Sequence, residues 1–450
     1  MGTMKVPRLL FSTSLPIIIS MIVQAMYNIV DSIFVAIYDP VAGTGAMTAA
    51  FPVQNFMIAV SVGLAVGTNA LLSRSLGEKN FDKANVIAGH GFFLNICGYL
   101  LFLIFGLFLT GPFVASQVHP SSLTYTYGVE YISIISVFSL GVFIQVVTER
   151  LLQATGKSFY SMLTQAGGAI ANIILDPIFI FGFGPIPSMG VAGAAIATVI
   201  GQFFAALLGI FFNIKFNKEI TIRLKNLIPK WKLVKEILEI SIPAVFMQAI
   251  GSVMTYSMNK ILIAFSEDAM NVFGLYFKLQ SFVFMPVFGL TNGMVPIVSY
   301  NYGAKYKSRV FETVKYSFAA SICYMTLGFI VFQLIPVELL GIFNATDSML
   351  EVGVPALRII SISFILASIG IICSSSCQAL GKSVYSLIVS IGRQLVALIP
   401  CAFLLSLTGQ VNNVWWAFPI AEGVSIILAV LFLIRATKRA FGKNNEFIAE

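Results

Sequence analysis

The chain has 450 residues, of which 58% are hydrophobic and only 10% charged. A soluble domain carries roughly 25% charged residues, so lipid rather than water is the main solvent. The formal charge of +8 does not point to nucleic acid. With the N-terminus placed inside, the Lys and Arg fall in or beside cytoplasmic loops, apart from Lys260, Lys278, Arg358 and Arg393 within apolar runs. That is the positive-inside pattern of a multi-pass protein of the cell membrane with both termini cytoplasmic.

Apolar runs of about 20 residues, the length that crosses bilayer hydrocarbon, recur along the whole chain. They predict spans at 9–37, 47–75, 87–110, 125–152, 159–182, 189–214, 233–262, 272–300, 311–334, 350–379, 384–406 and 413–436. Segments such as Phe92–Leu109 are apolar all round, which excludes the alternating strands of a membrane barrel. The first span is too long for a signal peptide and lacks a small-residue cleavage site. Cys97, Cys323, Cys373, Cys377 and Cys401 all fall in or at the end of spans with no metal-binding spacing, so they are expected to be buried structural thiols. Only two histidines occur, His90 and His119, in different regions, which leaves no zinc or haem site.

Self-comparison reveals a period of about 225 residues. QATGKSFYSML from Gln153 recurs as QALGKSVYSLI from Gln378. GLAVGTNALLSRSLGEK from Gly63 matches GLTNGMVPIVSYNYGAK from Gly289, and SLP at Ser14 answers SIP at Ser241. The expected fold is therefore an all-α integral membrane protein, about 12 transmembrane helices in two parallel six-helix repeats around a central cleft. Residues 1–214 form the N-terminal six-helix lobe, 215–232 a basic cytoplasmic linker, 233–436 the C-terminal six-helix lobe and 437–450 a cytoplasmic tail. The linker carries Lys215, Lys218, Arg223, Lys225, Lys230 and Lys232, with Lys235 just beyond. Two like bundles can rock about a shared cavity, the mechanics of secondary transport; a channel is the alternative.

GKS occurs at Gly156 and Gly381 without the upstream glycine of a phosphate loop, with Leu151 and Ser376 there instead. With no nucleotide site, transport needs an ion gradient or a separate ATPase. Ionisable residues at membrane depth are costly and default to function. In the first half they are Asp31, Glu130 and Asp176; in the second, Lys260, Lys278, Arg358, Arg393 and Glu422. Asp31 and Asp176 form the sharper pair, since a carboxylate in a low-dielectric cavity can load a proton or ligate sodium. Asn172 lies four residues before Asp176 and Gln24 seven before Asp31, each on the same helical face. Thr198 can add a hydroxyl. The structural alternative is that these groups only bridge helices. Lys278, Arg358, Arg393, Glu422 and Gln248 are candidates for a substrate cavity, suited to an anionic or zwitterionic cargo. Lys260 is near enough to the outer surface to snorkel, and Glu422 can neutralise Arg393 or Arg358.

Gln24, Tyr27 and VDSIFVA around Asp31, GVAGAAIATVIGQ from Gly190, NYGAK at Asn301 and the duplicated QAxGKS turns give the chain a resemblance. Over essentially its whole length it resembles the multidrug and toxic-compound extrusion (MATE) family. The resemblance implies export of lipophilic small molecules, often cationic drugs, in exchange for protons or sodium by alternating access. It also implies a cation at Asp31, Asn172, Asp176 and Thr198, the metal ligands if sodium is the coupling ion. Acids in helices seven and ten serve other members. Here span seven has Gln248 and span ten has no acid after Glu351, so no second-lobe cation site is expected. No cofactor beyond the coupling ion is expected, nor an enzyme, which would need clustered His, Asp or Glu at the aqueous boundary. A flippase or exporter for a lipid-linked or anionic metabolite is the alternative. Expected partners are a small-molecule substrate and membrane lipids, with no nucleic acid, and the working unit is expected to be a monomer.

Overall fold

The computed structural model describes residues 2–221, 224–343 and 346–442. Arg223 of the basic linker and residues 443–450 of the tail lie outside these. The helices, in chain order, are α1 (Val6–Tyr38), α2 (Ala42–Gly77), α3 (Phe81–Phe108), α4 (Thr110–Ala115), α5 (Leu123–Val137), α6 (Leu140–Ala154), α7 (Ser158–Phe181), α8 (Gly190–Phe216) and α9 (Trp231–Ile263). They continue with α10 (Glu267–Gly303), α11 (Lys307–Leu334), α12 (Pro336–Gly341), α13 (Asp347–Ala379), α14 (Ser383–Ile391), a π-helical segment Gly392–Leu398, α15 (Ile399–Ser406), α16 (Val411–Val414) and α17 (Ala417–Ala440).

Eleven of these segments are long and apolar enough to span, and the pair α5–α6, bent by 46°, completes twelve. Large apolar side chains stand exposed along single faces, as Leu100, Leu101, Ile104 and Leu107 do on α3, while His90, Asn172 and Asp176 are buried. This reversal of the soluble pattern is what lipid solvation selects. The sequence drew span four as one segment; the bend falls at Phe138–Ser139, where the Ser139 hydroxyl donates to the Ser136 carbonyl at 2.8 Å.

Packing divides the chain into two compact units, residues 19–245 and residues 1–18 with 246–450. Both crossings fall inside helices, two residues beyond Pro16 of α1 and Pro243 of α9. The packing boundary thus differs from the repeat boundary in the basic linker, and close helix contacts explain why. In the unit of residues 19–245, Gly63 and Gly67 of α2 meet α9 at Val245 and Ser241. The Ser241 hydroxyl donates to Leu64 O at 3.2 Å. In the other unit, Gly289 and Gly293 of α10 meet α1 at Ile18 and Ser14, and the Ser14 hydroxyl donates to Leu290 O at 3.3 Å. Glycines four apart let membrane helices approach backbone to backbone. The opening half-helix of each repeat therefore packs on the second helix of the other.

The duplicated turns repeat in detail. Gly156 and Gly381 take φ of 81° and 73°, and the next amide, Lys157 or Lys382, donates five residues back, to Leu152 O at 2.7 Å or Cys377 O at 2.8 Å. This left-handed helix end is why GKS recurs without a phosphate. Among the cysteines, Cys373 and Cys377 are buried, but Cys97 and Cys323 are exposed, correcting the uniform buried expectation. Both sit on outer faces of α3 and α11 that apolar solvent would cover.

The connection after α8 is strapped to α3. Thr221 N–H donates to Asn85 Oδ1 at 2.6 Å. His90, fully buried, faces Asn226 O with Nδ1 at 3.1 Å and receives the Lys230 N–H on Nε2 at 2.7 Å. A carbonyl on one side and an N–H on the other require the neutral ring with its proton on Nδ1. His90→Phe leaves both backbone groups unpaired. It is expected to cost about 2 kcal/mol and to speed protease cleavage between α8 and α9 in the solubilised protein; unchanged cleavage would show the strap is held elsewhere.

Candidate functional site

In the unit of residues 19–245, the polar faces of α1, α7 and α8 meet. Asp176 is fully buried, Asn172 2%, Asp31 5% and Thr198 7% exposed. Asn172 Nδ2 donates to Asp176 Oδ1 and to Thr198 Oγ1, both at 3.3 Å. The α7–α8 approach that allows this is made by Gly168 and Gly201. A methyl on Gly201 would lie 2.8 Å from Gly168 O and 3.1 Å from Asn172 Cβ. Asp31 reaches the cluster from α1, near enough that its charge acts on Asp176. Tyr27 and Tyr131 lie within electrostatic reach of both, and Gln54 Nε2 donates to the Tyr131 hydroxyl at 2.9 Å.

Three oxygens of this cluster, Asp31 Oδ1, Asn172 Oδ1 and Asp176 Oδ2, are buried with no hydrogen-bond partner. Two carboxylates in low dielectric repel each other, and their open oxygens carry a desolvation cost until a proton or cation arrives. Gln24 Oε1 accepts from Gln165 of α7. Sequence reading missed Gln165, although it lies seven residues before Asn172 on the same face. It also missed Glu149, buried on α6 and accepting from Gln145 Nε2 at 3.0 Å.

In the other unit, Arg393 Nη1 and Glu422 Oε1 form an ion pair at 2.7 Å. Among the described residues, no hydrogen bond or ion pair links the remaining cavity candidates to this pair. Lys278 and Arg358 are exposed, as is Gln248; Lys278 Nζ lies 5.6 Å from the Phe343 ring centre. Lys260 lies 5.7 Å from the Tyr256 ring centre. Among the described residues, no group of three or more His, Cys, Asp or Glu could hold a metal.

Twelve apolar crossings, a duplicated six-helix plan and open polar oxygens deep in one unit define a multi-pass membrane protein of the transporter class. The MatE family model matches residues 16–178 and again 243–404. The chain belongs to this family, the multidrug efflux transporters of the MATE type. It is 26% identical over 426 residues to the multidrug export protein MepA of Staphylococcus haemolyticus, covering 95% of this chain and 93% of the relative. MepA of Staphylococcus aureus is 25% identical over 438 residues, covering 97% and 95%. Among solved structures, the MATE multidrug transporter DinF-BH, solved in complex with a ligand, is 34% identical, with a TM-score of 0.89 and 98% of each chain covered. A MATE in complex with MaL6, at 23% identity and a TM-score of 0.89 over 97% of each chain, shares the fold.

Proposed function

We propose that the protein is a secondary antiporter of the cell membrane, exporting lipophilic small molecules by alternating access in exchange for a proton or sodium ion. The coupling ion binds at Asp31 and Asp176 with Asn172 and Thr198. Its working halves are the six-helix repeats, 1–214 and 233–436, within a monomer whose termini are cytoplasmic. The observation that carries this reading is the trio of partnerless buried oxygens on α1 and α7, a site whose affinity for a cation can differ between two conformations. Relatives named multidrug export proteins and the multidrug transporter DinF-BH support the substrate class.

The test is dye efflux from proteoliposomes under imposed sodium or proton gradients. One gradient is expected to drive efflux; movement indifferent to both overturns the antiport. Thr198→Val separates the ions. Loss of a hydroxyl oxygen weakens a sodium site by about tenfold, read as a higher half-saturating sodium concentration. A proton site on the carboxylates changes by less than about twofold, read as an unmoved pH midpoint.

A further inference from the structure

In the unit that holds residues 246–450, the spanning segment Ser383–Ser406 begins and the segment Val411–Ala440 ends at one membrane boundary, where α14 and α17 are joined. The rings of Tyr385 and Phe432 stack with centres 4.9 Å apart, and Arg439 Nη1 donates to the Tyr385 hydroxyl at 2.8 Å. Phe441, just beyond, packs on Tyr302 at 5.7 Å and on Phe311 at 5.4 Å, which fixes the end of α17 instead of leaving it to fray. Phe432, Arg435 and Arg439 are three and four residues apart and share one helical face. Lys382 stands immediately before α14. Lys382, Arg435 and Arg439 are all exposed.

Like charges four apart on a helix repel, so Arg435 and Arg439 call for a countercharge. Among the described residues neither they nor Lys382 form an ion pair. The sibling turn of the first repeat differs in this respect. There Lys157, the counterpart of Lys382, is paired with Glu219 at 2.7 Å, and Tyr160, the counterpart of Tyr385, stacks on Phe216 at 4.4 Å. One repeat carries its own anion and the other presents cations alone. Toward the membrane from these cations, Val384 and Ile388 of α14 and Leu431 of α17 are exposed. Charge at the boundary with aliphatic surface beneath it matches an amphiphile, whose phosphate meets the cations and whose acyl chains cover the apolar side chains. Guanidinium binds phosphate oxygens two at a time, and the positive dipole end of α14 lies at the same level.

We infer that Lys382, Arg435 and Arg439 form a site for the headgroup of an anionic phospholipid. The lipid supplies from the bilayer the countercharge that Glu219 supplies within the first repeat, and it braces α14 against α17. This is independent of the transport reading, since it concerns a face that meets lipid.

Native mass spectrometry of the purified protein in detergent, titrated with dioleoyl phosphatidylglycerol or dioleoyl phosphatidylcholine, tests it. The first phosphatidylglycerol is expected to bind about tenfold or more tightly than phosphatidylcholine. Each cation near the surface contributes about fivefold, so Arg435→Gln combined with Arg439→Gln is expected to weaken phosphatidylglycerol about 25-fold and to leave phosphatidylcholine within about twofold. Lys307→Gln combined with Lys315→Gln, which removes two exposed cations of α11, is the control and should change either lipid by less than about twofold. Equal affinity for the two lipids in the native protein, or an equal loss in both double variants, overturns the site. Displacement of the lipid by glycerol phosphate at equal concentration would assign the cations to a soluble phosphate. A tenfold gain in phosphatidylglycerol affinity on Glu446→Gln combined with Glu450→Gln would assign them to the chain's own tail. Either result overturns the lipid as occupant.

Discussion

Asp31→Asn and Asp176→Asn are each expected to lower gradient-driven efflux from proteoliposomes by about 10- to 100-fold while the purified proteins remain folded. An ion drives a conformational cycle only through the difference in its affinity for the two states, and such couplings are worth about 1–3 kcal/mol. The amides keep the shape of the side chains but remove the charge that attracts the ion. At position 176 the oxygen of the new amide can still accept from Asn172, so the α7–α8 contact survives. Removing one of two mutually repelling buried carboxylates relieves strain, so the thermal transition should hold or rise. Efflux that keeps its gradient dependence in both variants would remove these residues from the coupling step.

Gly67→Leu and Gly293→Leu are expected each to destabilise the protein by about 3 kcal/mol or more, through overpacking against backbone that has nowhere to move. Even a methyl at Gly67 would stand 2.6 Å from Ile237 O, and at Gly293 2.9 Å from Ser14 Cα. Helix propensity works the other way, leucine being favoured over glycine by under about 1 kcal/mol, so contact decides the sign. Gly274→Leu is the control, because nothing lies within 4 Å of a methyl there and propensity alone should hold or raise stability. The thermal transition in detergent reads all three. If Gly67→Leu melts with Gly274→Leu, the backbone contact of α2 with α9 is not tight.

Sequence patterning went far with this chain because its solvent imposes a strong rule. Any run long and apolar enough must cross, and a repeat of that rule doubles the architecture. Along one helix the site was also legible: Asn172 and Asp176 four apart must share a face. That Thr198 meets them depends on Gly168 and Gly201 closing α7 onto α8, which spacing alone does not announce. The bend at Phe138–Ser139 carries no proline to announce it, whereas the π segment at Arg393 is followed by Pro400, which cannot supply the N–H that Val396 O would take in a regular α-helix. Charge inside an apolar run was seen at Lys278, Arg358 and Arg393 alike, but hydropathy does not say which way a side chain leaves its helix. Among the described residues, only Arg393 of these three pairs with a carboxylate. SLP, SIP and the paired glycines were visible as matched motifs, yet which copy touches which is a three-dimensional fact.

The exchange of opening half-helices has a consequence for how the protein is made. Ser14 leaves the ribosome early, but its acceptor on α10 lies 276 residues further along the chain. At roughly 5–20 residues per second, the first half-helix waits in the membrane for tens of seconds before its partner exists. The first repeat, once complete, still lacks the part of α9 that fills the groove of α2. Each repeat is thus an incomplete object until its sibling is synthesised, and a gene cut between them should give two fragments that are stable only when produced together.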